Sequence, residues 1–238
     1  VDTGAANGGV ADSSGNGRAA SFESTGRVAY PVASVPSRYI QASTSSYNFD
    51  GTNDRLKSNF NKWNSVIGNG VSEHGDKEGT SKMSFAFWVN NDSEGTIEGY
   101  ITVGSVATAD PFVTIARNAA NKLSFTTKWS GGAESWTSTP TVPTGWTHVV
   151  VTYDANLYSN DPVFYFNGEA VANTGAGPGS GETWEGIDEG GASPTKTALW
   201  IGYTSMFGQV YGDMKMADVA VWSSILAAAE VEALYSAK

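Results

Sequence analysis

The stretch GDMKMADVAVWSSILAAAEVEALY, residues 212–235, decides the fold of this chain. Its first part, Met214 to Trp222, alternates as a strand does. Near its end apolar residues stand on both faces, which is typical of a strand covered on both sides. In the second part, apolar residues recur at helical spacing between Ile225 and Leu234, and the alanines among them favour a helix. The stretch therefore predicts a closing strand and one short helix that packs back onto the sheets.

Upstream of this stretch, short extended segments alternate with turns. The chain holds 28 Gly, 8 Trp and 10 Tyr, a composition typical of β-structure with many tight turns. The strongest strand signals are MSFAFWVN, residues 83–90, and GWTHVVVTYD, residues 145–154, and Asn167-Gly168 predicts a hairpin turn. About eleven or twelve short strands without an internal repeat, followed by one helix, predict an all-β sandwich of two antiparallel sheets.

The first 42 residues differ from the remainder. Residues 1–24 are mostly Gly, Ala, Ser and Asn, which cannot bury enough apolar surface to fold alone. Pro31 and Pro36 favour extended backbone. We interpret residues 1–42 as an extended, partly disordered N-terminal arm and residues 43–238 as one compact domain. The arm is either a flexible leader or an extension that orders against a neighbouring subunit. The opening VDTGAANGGV is typical of neither a signal peptide nor an anchor. Because the chain begins with Val rather than Met, we expect a processed or partial product.

Six segments resemble a known family in their order and spacing. They are FDGTNDRL, MSFAFWVN, GWTHVVVTYD, VFYFNGEAV, LWIGY and the closing stretch, and the resemblance covers about residues 47–235. The chain resembles laminin G-like domains of the concanavalin A-like jelly-roll superfamily. The resemblance implies a two-sheet antiparallel jelly-roll sandwich with one short C-terminal helix, in which the first and last strands are adjacent. It departs from the family pattern at Ala227, where a capping Ser or Thr is usual, although Glu230 three residues on is present. The helix cap is therefore missing or supplied by Ser224.

Charge and composition exclude several kinds of partner. The net charge is -10, and Lys and Arg form no cluster, so neither nucleic acid nor an anionic membrane surface is an expected partner. No apolar segment is long enough for a membrane span, so we expect no membrane insertion. The absence of cysteine removes disulfides and thiol nucleophiles from consideration. The composition favours an extracellular or virion-surface location.

A glucanase is the enzyme class that the resemblance brings into question. Retaining enzymes of this fold carry Glu-x-Asp-x-Glu on a strand, so that three carboxylates share one face. The nearest match here is Glu185, Asp188 and Glu189, whose spacing puts Asp188 on the opposite face. His148 lies inside a predicted central strand and is interpreted as structural, whereas His74 lies in a polar segment as a weak metal candidate. We therefore predict that the chain is not an enzyme.

Loop aromatics and loop carboxylates are the candidate binding groups. Residues 130–143 predict a loop that exposes Trp136, and Trp184, Tyr158 and Tyr211 also fall in or beside predicted loops, where a flat ring can stack on a sugar. Calcium is the expected structural cofactor, since hard oxygen ligands recur in two turns. The calcium candidates are Asp50, Asn53 and Asp54 in the first turn and Asp154 after the central strand; the alternative is that these residues only form turns.

Two functions fit these observations. The first is a non-catalytic, surface-displayed binding module that recognises glycans, with protein neighbours contacted through the arm. The second is a structural or decoration protein of a virus particle, tail or surface array, assembled through the arm. A glucanase-like hydrolase is a minor alternative. Because one sandwich fold hosts many functions, the fold alone does not decide between them.

Overall fold

The computed structural model describes residues 16, 18, 20–22, 31–32, 46–58, 63, 66–67, 79–105, 111–184 and 197–237. Within these residues nearly all regular structure is strand, and one helix closes the chain. The elements are β1 (Ala20–Phe22), β2 (Pro31–Val32), β3 (Ser46–Asp50), β4 (Leu56–Ser58), β5 (Lys82–Asn91), β6 (Glu98–Ser105), β7 (Pro111–Arg117), β8 (Lys122–Trp129), β9 (Gly132–Thr141), β10 (Thr147–Asp154), β11 (Val163–Phe166), β12 (Glu169–Val171), β13 (Asn173–Gly175), β14 (Thr197–Ile201), β15 (Tyr203–Thr204), β16 (Val210–Tyr211), β17 (Asp213–Trp222) and α1 (Ala228–Ser236).

Two antiparallel sheets form the body of the domain. The first sheet has the strand order β1-β4-β14-β6-β7-β8-β9-β13, and the second has the order β12-β11-β10-β5-β17-β3-β2. The short pair β15–β16 forms a separate two-stranded ribbon. The predicted all-β, two-sheet antiparallel jelly-roll with one C-terminal helix is confirmed.

The inner face of the first sheet is one continuous row of registered residues. Each member lies directly opposite the next on the neighbouring strand, and all but the last are apolar and buried. Because side chains alternate across a strand, the row faces the second sheet along its whole width. The row comprises Leu56, Ile201, Ile101, Ile115, Phe125, Trp136 and Gly175.

The closing strand occupies the place that the resemblance implies. β17 lies between β5 and β3 in the second sheet, so the first and last long strands are adjacent. A register shift between Ala217 and Ala220 coincides with a positive φ of 50° at Asp218, as in a β-bulge. Flanked on both edges by strands and covered by the first sheet on its inner face, β17 holds the fold closed.

The chain passes from the second sheet to the first at the first predicted turn. Residues 51–55 separate β3 from β4, close to the turn expected at Asp50 to Asn53, yet β3 joins the second sheet and β4 the first. The predicted hairpin at Asn167-Gly168 is also present, with positive φ values of 52° and 87° that match an Asn-Gly turn. Both turns follow from residue types that tolerate left-handed backbone.

The prediction that residues 130–143 form a loop is wrong. Residues 132–141 are strand β9, which pairs with β8 on one side and β13 on the other. Trp136 lies in the inner row and is fully buried. Its ring excludes any side chain at Gly175, where a Cβ atom would lie 2.4 Å from the ring. The polar composition of β9 conceals a strand whose register is set by its neighbours.

The C-terminal helix docks on the outer face of the second sheet. Leu226 and Val231 are buried against Ala86, Val150 and Tyr165. The Ser84 hydroxyl donates to the Ser224 carbonyl at 2.7 Å and accepts from the Leu226 N–H at 3.0 Å. The N-cap residue Ala227 has no side-chain cap, while its N–H donates to Glu230 at 2.7 Å. Only the Glu half of a capping box is therefore formed.

Among the described residues, no helix is long and apolar enough to cross a membrane.

Candidate functional site

One loop combines an exposed aromatic ring with a rigid backbone. It runs from Ala155 to Pro162 between β10 and β11, and we call it the Tyr158 loop. Tyr158 is 42% exposed and its neighbour Leu157 is 54% exposed. Asn156 and Ser159 beside them are also exposed. A flat ring bordered by amide and hydroxyl groups is the arrangement with which proteins stack on sugars and hydrogen-bond their hydroxyls.

Hydrogen bonds brace this loop at both of its ends. The Ala155 N–H donates to the Ser81 carbonyl at 3.0 Å. The Asn156 N–H donates to Asp154 Oδ1 at 3.0 Å, and Asn160 Nδ2 donates to the Asp154 carbonyl at 2.9 Å. The exposed side chains therefore project from a backbone with little freedom, which lowers the ordering cost of binding.

Trp136 anchors the same loop from beneath. Its indole Nε1–H donates to Asp161 Oδ1 at 2.8 Å. Its ring packs against Phe125 and Tyr153, with centroid distances of 6.1 and 5.3 Å. Burial raises the pKa of the Tyr153 hydroxyl well above its usual range, so that group stays neutral. The expected exposure of Trp136 is wrong, and the residue instead positions the loop that carries Tyr158.

Trp184 is likewise buried rather than exposed. It forms an isolated bridge with Trp129 at the end of the first sheet, and its Nε1–H donates to Thr127 Oγ1 at 2.8 Å. The adjoining Ser130 N–H donates to the Thr183 carbonyl at 3.0 Å. Trp184 thus ties the segment before it to the β8–β9 turn and presents no open face to a ligand.

Tyr211 lies at the opposite end of the domain from the Tyr158 loop. It is half-buried, and its ring centroid is 5.2 Å from that of Tyr203. The Arg55 guanidinium stands over the other ring of this pair, 4.8 Å from the Tyr203 centroid, as in a cation–π contact. The structure therefore does not bring Tyr211 and Tyr158 together into one site.

An acidic corner surrounds the start of β17. Glu98, only 1% exposed, forms an ion pair with the 3% exposed Arg117, with 3.3 Å between Oε1 and the guanidinium. The same carboxylate accepts hydrogen bonds from Ser93, Thr96 and the backbone N–H of Asp213. With every bond directed at fixed partners, Glu98 is a structural group that joins β6, β7 and β17.

The outer part of this corner holds three further carboxylates. Asp92 forms an ion pair with Lys215, and Asp50 lies opposite Asp213 in the β3–β17 register. Burial, with the negative charges of Glu98 and Asp92 adding to it, raises the pKa of Asp213. Of this group only Asp50 was singled out from sequence, because strand pairing brings Asp92 and Asp213 beside it from distant positions.

The two predicted calcium sets lie at opposite ends of β5. Asp50 is near the Asn91 end through β17, whereas Asp154 is directly opposite Lys82 at the other end. Ten residues of strand separate these ends by about 30 Å. No single ion can bind both sets.

Each set also uses its oxygens within its own turn. Asp50 Oδ1 accepts from the Thr52 N–H at 3.0 Å, Asn53 is half-buried and Asp54 is buried. Among the residues that the structure describes, no three His, Asp or Glu side chains are placed to hold a metal ion. Calcium needs six to eight oxygens, so the described side chains of neither set complete a coordination shell, and calcium binding stays a prediction.

His148 is buried between aromatic rings. It is 4% exposed, and its ring centroid lies 5.1 Å from that of Trp88 and 6.1 Å from that of Tyr235. Burial lowers the pKa of His148 to about 4. The ring belongs to the contact between helix and sheet, as its strand position implied. The remaining chemical candidates, Glu185, Asp188, Glu189 and His74, lie outside the described residues.

These features define a jelly-roll domain with a braced, aromatic-tipped loop at one end. The sequence matches the model of a laminin G-type family in the concanavalin A-like lectin/glucanases superfamily over residues 68–232. The chain belongs to this family, and the resemblance stated from its six segments is confirmed. No curated protein matches the chain significantly in sequence.

Solved structures show the same fold at low identity. The heptameric SAP-like pentraxin from Limulus polyphemus is 13% identical, with a TM-score of 0.53 over 79% of this chain and 80% of the pentraxin. Trypanosoma rangeli sialidase, in complex with 2,3-difluorosialic acid as a covalent intermediate, is 14% identical, with a TM-score of 0.55 over 97% of this chain and 31% of the sialidase.

A bacterial toxin is similar to the same degree. Botulinum neurotoxin type C, whose cell entry depends on interaction with two ganglioside molecules, is 15% identical, with a TM-score of 0.54 over 94% of this chain and 47% of the toxin chain. The chain therefore spans less than half of the sialidase and toxin chains. At these identities the likeness concerns the fold alone.

Proposed function

We propose that this chain is a non-catalytic, surface-displayed binding module that recognises glycans through the Tyr158 loop. The observation that carries the proposal is the exposed pair Leu157 and Tyr158 on a backbone held by Asp154 and by the Trp136–Asp161 hydrogen bond. Membership of the family supports the fold, and an exposed ring beside amide and hydroxyl groups supports glycans as the ligand class.

The superfamily includes both lectins and glucanases. The positions of this chain's carboxylates therefore bear on whether it binds glycans or hydrolyses them. Most glycoside hydrolases use two carboxyl groups that flank the scissile bond. The most buried carboxylate of the acidic corner, Glu98, is committed to Arg117 and its other hydrogen-bond partners. Asp154, the last residue of β10, and Asp161, within the Tyr158 loop, accept hydrogen bonds from the Asn156 N–H and the Trp136 indole N–H. This use of carboxylates as loop braces supports binding rather than catalysis.

The neighbours contribute one supporting point. Botulinum neurotoxin type C interacts with gangliosides, which carry sugar head groups, and it shares this fold. An extracellular or virion-surface location would suit a domain that meets such ligands, and it remains part of the proposal.

A glycan array tests the proposal. The full chain is applied to an array that includes β-glucans and sialylated oligosaccharides, beside Tyr158→Ala and Phe207→Ala. Phe207 is 44% exposed in a different loop and is the matched control. We expect binding by the wild type and by Phe207→Ala, and loss of the signal with Tyr158→Ala. An array without a single bound glycan, or equal signals from all three proteins, contradicts the proposal.

Hydrolysis is tested in parallel. The wild type and Glu185→Gln are incubated with the same β-glucans and the reducing ends are measured. Release of reducing ends that Glu185→Gln abolishes would show an enzyme and overturn the non-catalytic part of the proposal.

A further inference from the structure

The N-terminal arm supplies one edge strand to each sheet of its own domain. β1 pairs antiparallel with β4 at the edge of the first sheet, and β2 pairs antiparallel with β3 at the edge of the second. Unpaired edges are the places where sheets recruit another strand. The edges of β3 and β4 therefore form a strand-acceptor surface, and in this structure the arm occupies it.

The opposite side of the sandwich is covered in a similar way. Residues 169–175 give β12 to the second sheet and β13 to the first. That segment lies between β11 and β14 in the middle of the domain, so it cannot leave without unfolding it. The arm precedes all other strands of the described fold and can leave without breaking their pairing.

The two described strands of the arm are short. β1 has three registered residue pairs and β2 has two, whereas β10 has eight with β5. Each backbone hydrogen bond contributes only about 1 kcal/mol net. Ala20 is buried in the core cluster, and the Arg18 guanidinium lies over the Trp63 ring, 5.7 Å from its centroid. The arm therefore has less registered strand pairing to lose on release than a central strand such as β10.

Charge favours an arm as the occupant of this surface. Residues 1–42 contain three basic and three acidic side chains, whereas the remaining residues contain 11 basic and 21 acidic ones. Two whole domains that meet edge to edge bring two negative bodies together, which is unfavourable. A neutral arm that reaches across avoids most of this repulsion. The connection between β2 and β3, residues 33–45, reaches up to about 43 Å when extended.

We propose that the edges of β3 and β4 accept the arm of a second copy in place of their own. Two chains then form an arm-exchanged dimer. The strand pairs are the same in both states, as in domain swapping. A connection of this length holds the arm at an effective concentration on the order of millimolar at its own domain. The monomer therefore prevails in dilute solution and the dimer appears as the protein approaches that concentration. The proposal does not depend on the glycan site.

A mixed disulfide experiment tests the exchange. Ser21 and Lys57 are directly opposite in the β1–β4 register, and opposed residues in an antiparallel pair lie within disulfide distance. The chain has no cysteine of its own. Ser21→Cys and Lys57→Cys are purified separately, mixed at about millimolar concentration and oxidised. We expect a covalent dimer that contains one chain of each variant.

A matched control separates exchange from chance collision. Thr174 is an exposed residue on β13, the opposite edge strand of the same sheet. Mixing Ser21→Cys with Thr174→Cys samples random encounters between exposed thiols. The proposal expects at least about tenfold more heterodimer with Lys57→Cys, a difference of about 1.4 kcal/mol. Equal yields from the two mixtures would overturn it.

The double variant provides a second, independent readout. Oxidation of Ser21→Cys/Lys57→Cys at low concentration locks the arm to its own domain. Light scattering then compares the locked and reduced forms as concentration rises. Dimer in the reduced form that is absent from the locked form supports the proposal. Equal dimer content in both forms, or a monomer throughout, refutes it.

Discussion

His148 makes the stability of the domain depend on pH between 6.5 and 4. Its ring is buried between Trp88 and Tyr235, and its Nδ1 has no hydrogen-bond partner among the described residues. Burial lowers its pKa from 6.5 to about 4. In the unfolded chain the imidazole takes up its proton first, so protonation favours unfolding. The stability due to neutral His148 is present above pH 6.5, declines as the pH falls and is lost near pH 4.

The size of the effect follows from the two pKa values. Each pH unit of difference corresponds to about 1.36 kcal/mol, so the neutral ring contributes about 3 kcal/mol at pH 7 relative to pH 4. Urea unfolding of the wild type and His148→Phe, followed by tryptophan fluorescence from pH 7 to pH 4, measures it. Because both proteins share all carboxylates, the change in the difference between their unfolding free energies isolates His148. We expect that difference to shift by about 3 kcal/mol in favour of the variant.

Proton NMR measures the pKa of His148 directly. The chain has only two histidines, His74 and His148, and His74→Gln assigns their imidazole signals. A His148 signal that titrates near 6.5, or an unfolding free-energy difference that is constant across the pH range, would show that the ring is not buried as described.

Three other changes test the packing, the buried ion pair and the cofactor. Gly175→Ala places a Cβ atom 2.4 Å from the Trp136 ring and should lower the unfolding free energy by about 1–3 kcal/mol in urea titration, whereas the adjacent exposed Thr174→Ala should change little. Glu98→Gln leaves Arg117 buried without its charged partner and should cost about 3–5 kcal/mol; a loss below about 1 kcal/mol, as for a surface pair, would contradict the buried geometry. If the domain binds calcium, calorimetry should give a higher Tm in calcium than in chelator. Asp50→Ala and Asp154→Ala would then show which turn binds the ion. Identical Tm values would contradict calcium binding.

The long strands and the closing unit were predictable because their signals are local. Met83 to Asn90 and the region around His148 are apolar enough to identify without their partners, and the closing strand was placed beside β3 by the family resemblance. The Asn167-Gly168 turn depends on two residue types that favour positive φ.

The binding candidates were harder because their exposure depends on distant neighbours. Trp136 stands in a Ser- and Thr-rich segment, and only pairing of β9 with β8 and β13 shows that it faces inward. Trp184 is buried by its bridge to Trp129. Tyr158 is the one of the four predicted ligand-binding aromatics that combines high exposure with a braced loop. The sequence named both Tyr158 and Trp136, and only the strand pairing shows which of the two rings is exposed.

The hydrogen bond from the Trp136 indole N–H is expected to position the Tyr158 loop for binding, beyond the packing of the ring in the core. Trp136→Phe keeps an aromatic ring in the core and removes the hydrogen bond to Asp161. The domain should stay folded, while the Tyr158 loop loses an anchor and glycan affinity falls. Unchanged affinity would show that the loop does not need this bond.

Calorimetric titration tests whether the Tyr158 loop is the glycan site. The strongest ligand of the array is titrated into wild type, Tyr158→Phe, Tyr158→Ala and Phe207→Ala. If the exposed ring of the Tyr158 loop stacks on the sugar, Tyr158→Ala weakens binding at least about tenfold, or 1.4 kcal/mol. Tyr158→Phe, which keeps the ring, and Phe207→Ala, which alters a distant one, bind nearly as the wild type does. Equal affinities for wild type and Tyr158→Ala would contradict the assignment of this loop as the glycan site.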